Sequence, residues 1–203
     1  MNYAVYSASP SDPQLLVTWY EAARFCNWLS EREGIPRDQW CYEPSKQAAL
    51  LKDHTAGYGE GMAIRTNYRH LAGYRLPTSV EWEYACRAGS TSSFFFGRSL
   101  ALAPEYCWSA EQANERVEPV WGRMPNPWGL FGMAGNVKEW CQDSLGQSGL
   151  VGDSGKVLNA NYKLLKGGSI GGSAKMARSA RLSVMRPDMR AIDHGFRVVR
   201  LAD

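Results

Sequence analysis

The chain has 203 residues, 21% of them charged, and a formal net charge of +3. Its Lys and Arg are scattered and no apolar run approaches about 18 residues, which excludes a basic nucleic-acid-binding stripe and a helical membrane span. With no secretion signal visible either, the reading is a cytoplasmic protein. Eight tryptophans and ten tyrosines are enough to fill one core, so a single domain over residues 1–203 is expected. Five cysteines, Cys26, Cys41, Cys86, Cys107 and Cys141, are far apart with no CxxC or Cys/His metal spacing, and read as buried free thiols.

Residues 1–16 are polar, carry Pro10 and Pro13, and read as an extended lead-in. Thr18-Trp19-Tyr20-Glu21 has the pattern of a capping box, and Ala22, Phe25, Cys26 and Leu29 then fall at i, i+3, i+4 and i+7. This predicts a helix to about Glu33, stopped by Gly34, with that stripe buried. Trp40 to Pro44 reads as a short strand, and residues 45–71 as a long surface excursion. A second capping box, Thr78-Ser79-Val80-Glu81, opens a helix ended by Gly89, with Val80, Tyr84 and Ala88 on one face and Trp82, Ala85 and Cys86 extending it. Residues 90–121 read as short strands and loops, and 144–160 as loop. Leu164-Leu165-Lys166 reads as a strand running into a Gly167-Gly168-Ser169 turn. Residues 178–182 and 195–200 alternate like half-buried strands. The fold class is therefore α+β, with two main helices, a small and mostly antiparallel sheet, and much irregular structure.

Between these lies the densest stretch, residues 125–143, with glycines at 129, 132 and 135 among Trp128, Phe131 and Trp140. Tight turns bracketed by aromatics suit an irregular core held by side chains. Beside Gly135, the residues Asn136 and Glu139 have two readings. They either aim oxygens, with carbonyls around Gly135 and Val137, at a hard cation such as Ca²⁺, or they hold a turn and cap amides. Two oxygen side chains fall short of the about 6–8 ligands Ca²⁺ takes.

In this order the motifs resemble the formylglycine-generating-enzyme, or sulfatase-modifying-factor, family. They are Val17-Thr18-Trp19-Tyr20-Glu21-Ala22-Ala23, Tyr74-Arg75-Leu76-Pro77-Thr78 with Glu81-Trp82-Glu83-Tyr84-Ala85, Gly135-Asn136-Val137 with Glu139-Trp140, Gly167-Gly168-Ser169, and Gly195-Phe196-Arg197. The resemblance implies a decorated C-type-lectin-like fold and a calcium site at Gly135, Asn136, Val137 and Glu139. Residues 38–44 are most similar to the family's bacterial branch that is often fused to protein kinases. Formylglycine-generating members hold copper(I) with two cysteines after the Gly-Gly-Ser turn. Counting along that turn puts Gly172 and Ala177 there, so no copper is expected. The family's first calcium site starts from an asparagine near Trp108, where this sequence departs with Gln112; the Asn136 and Glu139 site is the family's second. Family members also begin with a further segment before the first helix. The resemblance therefore implies a chain truncated on its N-terminal side, its gap near residues 1–20 covered by a partner chain or a homo-oligomer.

Three functions follow as expectations. The first is a non-catalytic ligand- or protein-binding module, a sensor or receptor domain of a larger bacterial system. The second is the family's oxidase, converting a substrate cysteine to formylglycine. The third is a structural domain completing a partner chain. For the first, the face at residues 170–193 is the candidate, with Met185, Arg186, Asp188, Arg190 and His194 as contact residues for a protein or small molecule. Arg178 and Arg181, alternating with small or apolar residues, are expected in core ion pairs. His194, beside Asp193 and Gly195, reads either as a base or as the holder of a turn.

Overall fold

The computed structural model describes residues 9–45, 58–113, 116–145 and 162–201. The parts of the lead-in, the excursion and the 144–160 loop that fall elsewhere lie outside the described residues. Both capping boxes form. The Thr18 hydroxyl accepts from the Glu21 N–H while the Glu21 carboxylate accepts from the Thr18 N–H at 2.8 Å, opening α1 (Trp19–Arg32). Thr78 and Glu81 do the same for α2 (Ser79–Arg87). Helix α1 stops before Gly34, at φ +73°, and α2 stops on Ala88, which is left-handed at φ 45°, followed by Gly89.

The buried faces differ from those expected. Helix α1 buries Trp19, Ala22, Ala23, Cys26, Asn27 and Ser30, and leaves Phe25 39% exposed. Helix α2 buries Ser79, Trp82 and Cys86, while Val80 and Tyr84 face outward. Long-range hydrogen bonds make the polar positions buriable. Asn27 donates to the Tyr42 carbonyl and Tyr58 hydroxyl, and Ser30 accepts from the Tyr74 N–H.

A two-stranded ribbon pairs β1 (Tyr42–Glu43) with β2 (Ala63–Ile64), and α3 (Ala103–Tyr106) is a short helix within the segment read as strands and loops. The main sheet has the order β5 (Ser183–Met185), β4 (Lys163–Lys166), β3 (Lys138–Ser144), β6 (His194–Phe196). Strands β5, β4 and β3 run antiparallel, and β6 joins β3 in parallel, making the sheet mixed. Two expectations are corrected here. Residues 138–144 are a strand, not an irregular segment, and the strand placed at 178–182 lies at 183–185, preceded by a 3-10 turn at Ala174–Ala177.

Strand β3 is buried on both faces, and its side chains alternate between two cores. Trp140, with Leu165 of β4, joins Trp19, Ala22 and Cys26 of α1. Cys141, with Leu164, joins Trp82 and Cys86 of α2 and Met133. Trp19, Trp82 and Trp140 are almost fully buried. Each removes about 150–250 Å² from water, worth at most about 4–6 kcal/mol at about 25 cal/mol per Å². Their ring N–H groups find acceptors: Trp19 the Cys141 carbonyl, Trp140 the Val17 carbonyl, Trp82 the Glu139 carboxylate. Asp143, at the far end of β3, accepts from the Ser79 N–H and hydroxyl, so the strand also anchors the positive end of α2.

Candidate functional site

Sequence places the densest chemistry before and along β3, and the structure makes that region a hub. Gly135 sits at φ +74° against residues 107–108, where an added Cβ would lie 1.9 Å from the Trp108 carbonyl oxygen. Its N–H donates to the Gly167 carbonyl, and the next N–H, of Asn136, donates to the Trp108 carbonyl at 2.7 Å. Asn136 is itself left-handed, at φ 64°. Its amide closes a two-way bond with the Glu118 backbone, Oδ1 accepting the N–H at 3.1 Å and Nδ2 donating to the carbonyl at 2.8 Å. Its own carbonyl accepts from the Ile170 N–H, and Val137 packs in a small core with Leu15, Ala113, Val117 and Ile170.

Glu139 is buried, and both carboxylate oxygens are taken. Arg197 of the segment after β6 grips them at 2.5 and 2.7 Å, and the Trp82 ring N–H adds a third bond at 2.6 Å. Burial works against the Arg197 charge, but the carboxylate more than offsets it and holds its pKa above the usual value. These donors bear directly on calcium. Asn136 and Glu139 have committed their side-chain oxygens to protein donors, and a cation on Glu139 would meet the guanidinium already there. As arranged, the side chains of Asn136 and Glu139 do not fit a calcium cradle. Among the described residues no three His, Cys, Asp or Glu side chains gather as metal ligands.

The 170–193 face is brought together only in part. Arg186 and Asp188 are exposed and pair with each other, at 3.1 and 2.7 Å. Arg190 bonds the Leu16 carbonyl at 2.8 Å and the Glu21 carboxylate at 2.6 Å, tying its loop to the start of α1. Met185 is half-buried at the end of β5. His194 is the correction in this set. It is buried in β6, 2% exposed, and packs edge-on against Trp140. Arg178 and Arg181 also depart from expectation. Both are exposed, and neither makes an ion pair among the described residues.

Burial makes His194 a pH-sensitive stability element. It pushes the imidazole down to about 4; Asp193 opposes the shift and Lys138 adds to it. A folded pKa below the unfolded value of about 6.5 means the unfolded chain takes up the proton first. Stability therefore falls as pH drops from about 6.5 to about 4, by up to about 3 kcal/mol, and levels off below that. Asp193, Glu21, Glu81 and Glu83 are held below their ordinary range by bonded partners, so their losses come at lower pH. Denaturant unfolding of the parent and of His194→Gln should differ in slope within that upper window. Equal slopes would mean that His194 is not the titrating group.

A groove of about 1430 Å³ lies between residues 9–17 and the outer face of α1. Its apolar lining includes Phe25, 39% exposed, and Trp28, 48% exposed, with ring centroids 5.3 Å apart, and Phe196, 5.3 Å from Phe25. Arg24, Glu31 and Arg190 add charge of both signs.

With this geometry in hand, the sequence profile described as the sulfatase-modifying factor enzyme 1-like domain matches residues 2–202. The chain belongs to that family. The chaperone protein LppX of Paenibacillus barcinonensis is 26% identical over 201 residues, covering 91% of this chain and 68% of that protein. The formylglycine-generating enzyme of Streptomyces coelicolor is 34% identical over 163 residues, covering 68% of this chain and 50% of that enzyme. The chain thus spans about half the length of that enzyme. Among solved structures, Treponema denticola variable protein 1 superposes with a TM-score of 0.77 at 28% identity, covering 93% of this chain and 70% of that one. The sulfatase-modifying-factor fold here is accordingly α+β and C-type-lectin-like. Among the described residues, no helix is long and apolar enough to cross a membrane.

Within this sulfatase-modifying-factor domain, Gly172 and Ala177 follow the Gly167-Gly168-Ser169 turn. Gly172 closes a turn onto the Ser169 carbonyl, and Ala177 is buried against Gly168. All five cysteines are free and buried. Burial pushes Cys41 and Cys86 up to about 11, Cys107 to about 12, and Cys26 and Cys141 well above their ordinary value. Sequence reasoning missed Asn126 as a structural clamp. Its Nδ2 donates to the Ala85 and Cys86 carbonyls that end α2, while its Oδ1 accepts from Trp128 and Leu130. An asparagine set between Pro125 and Pro127 was the available signal.

Proposed function

We propose that this sulfatase-modifying-factor domain is a non-catalytic protein-binding module. The observation that carries this reading is the thiol chemistry. Gly172 and Ala177 stand at the positions the family resemblance gives to the copper-binding pair, and the five thiols are buried and held protonated. Without a thiolate pair there, the chain lacks the two-cysteine ligand set that the family resemblance gives to copper(I).

The contact surface in this reading is the α1 groove, and its occupant is an extended, partly apolar segment of a client protein. Phe25, Trp28 and Phe196 offer rigid aromatic area at small entropic cost. Arg24, Glu31 and Arg190 would hold a backbone or side chains of either sign at the rim. The similarity to a protein named a chaperone, over 91% of this chain, supports the same reading. Of the residues expected to contact a ligand, Arg190 lines this groove.

Two assays decide it. The chain should slow aggregation of an unfolded reporter protein, and Phe25→Ser/Trp28→Ser should lose that effect while still unfolding cooperatively, since both side chains are partly exposed. Equal protection by the variant would remove the groove from the function. The similarity to formylglycine-generating enzymes favours the alternative, oxidation of a substrate cysteine. A cysteine-containing sulfatase peptide supplied with copper(I) and oxygen should give no aldehyde; turnover that depends on Cys86, Cys107 or Cys141 would replace our reading with the enzymatic one.

A further inference from the structure

A second concavity, of about 520 Å³, lies elsewhere on the surface, between the loop after α2 and the turn that precedes β5. It is lined by Arg87, Arg178 and Arg181, by the hydroxyl residues Thr91, Ser92 and Ser93, and on one wall by Ala180 and Leu182. Among the described residues, no acidic side chain lines it. We propose that this is a binding site for a tetrahedral oxyanion, a phosphate or sulfate group carried on a small organic molecule. None of these residues lines the α1 groove.

The cavity is built in three ways. First, its two walls are fastened to each other. The Ser179 N–H donates to the Ser93 carbonyl at 3.0 Å, and the Arg181 N–H donates to the Arg178 carbonyl at 2.8 Å, so both arginines spring from one tight turn facing the hydroxyl loop. Second, Arg87 is already oriented. Glu83 holds it at 2.8 Å and the Ser92 carbonyl accepts from it at 2.9 Å, which fixes the guanidinium at the foot of the loop.

Third, the charge is left over. Glu83 is the carboxylate that serves this region, and it is shared between Arg87 and buried Lys166, which also donates to the Ser179 carbonyl. Among the described residues, Arg178 and Arg181 therefore face the cavity with no carboxylate of their own. The other exposed arginines of the neighbouring segment behave differently, Arg186 pairing with Asp188 and Arg190 with Glu21. Two forked guanidinium groups and adjacent hydroxyl donors match an oxyanion that accepts from several directions, better than a planar carboxylate. The volume falls within the about 300–1,000 Å³ usual for small-molecule sites and exceeds what a bare ion fills, and Leu182 with Ala180 gives an apolar wall for the organic part.

The test is calorimetric titration of the full chain, in low-salt buffer free of phosphate, with phenyl phosphate, phenyl sulfate, inorganic phosphate and benzoate. We expect saturable binding of phenyl phosphate or phenyl sulfate, weakened about tenfold or more in Arg178→Gln/Arg181→Gln, whose residues are exposed and make no ion pair among the described residues. Arg186→Gln should bind like the parent. Tighter binding of the esters than of inorganic phosphate identifies an organic ester as ligand. Equal binding of the two would show that the apolar wall takes no part and overturn that element. Benzoate binding as tightly as phenyl phosphate, equal binding by the double variant, or no saturable heat at millimolar ligand would overturn the site.

Discussion

Gly135→Ala should leave little folded protein. A left-handed backbone costs an alanine about 1–2 kcal/mol, and here that is the smaller part of the penalty. The new methyl would lie 1.9 Å from the Trp108 oxygen, 2.7 Å from its carbonyl carbon and 2.8 Å from Cys107 Sγ. Two of these are backbone atoms, and the sulfur belongs to a fully buried side chain. The Trp108 carbonyl is fixed by the Asn136 N–H, and the chain behind Gly135 by the Gly167 carbonyl, so relief breaks at least one buried hydrogen bond. A loss above about 4 kcal/mol is expected. Gly129→Ala is the control. Its φ is +77°, but nothing lies within 4 Å of the added carbon, so only the conformational cost of about 1–2 kcal/mol applies. Denaturant midpoints that agree for the two variants would show that the hub tolerates displacement.

Arg197→Met has the second largest expected effect. It leaves Glu139, 5% exposed, with the Trp82 ring N–H and no counter-charge. Removing one partner of a buried pair costs about 3–5 kcal/mol. At roughly 2–4 °C per kcal/mol for a chain of this size, the melting temperature should drop by roughly 6–20 °C. Arg197→Met combined with Glu139→Gln should lose less than Arg197→Met alone, because the stranded charge is gone. Calcium supplies a discriminating arm. If protein donors hold Glu139 as described, the parent melts at the same temperature with calcium or with chelator. Site occupancy at about 100 times the dissociation constant would instead raise stability by about 2.7 kcal/mol. That increase would show that calcium takes Arg197's place.

What the sequence made legible was local. Thr18 with Glu21, and Thr78 with Glu81, each satisfy helix-end groups within three residues, so a short window contains the whole interaction. The buried faces were not legible in the same way. Periodicity favours Phe25, Val80 and Tyr84, but the inward positions include Asn27, Ser30 and Ser79, whose partners are remote in sequence. Strand β3 was hidden for a related reason. Burial on both faces removes the apolar–polar alternation that marks a half-buried strand, and the run contains Glu139, Gln142 and Ser144, all buried. In the candidate site, residue type was legible and partnership was not. Arg178 and Arg181 alternate as core residues would, yet lie outside, while Arg197 is the arginine committed to a buried carboxylate.

The parallel pairing of β3 with β6 has a consequence for synthesis of the chain. Lys138, Glu139 and Trp140 align with His194, Gly195 and Phe196, and the clamp on Glu139 comes from Arg197. On the other face, Trp19 and Val17 bond residues more than 120 positions downstream. A ribosome that has delivered both capped helices and most of the tryptophans has still not delivered the strand that completes the sheet. Non-local closure of this kind slows folding and prolongs exposure of apolar surface. Nascent chains stalled before residue 194 should therefore be recognised by holdase chaperones, and release shortly after 197 should mark the length at which protease resistance first appears.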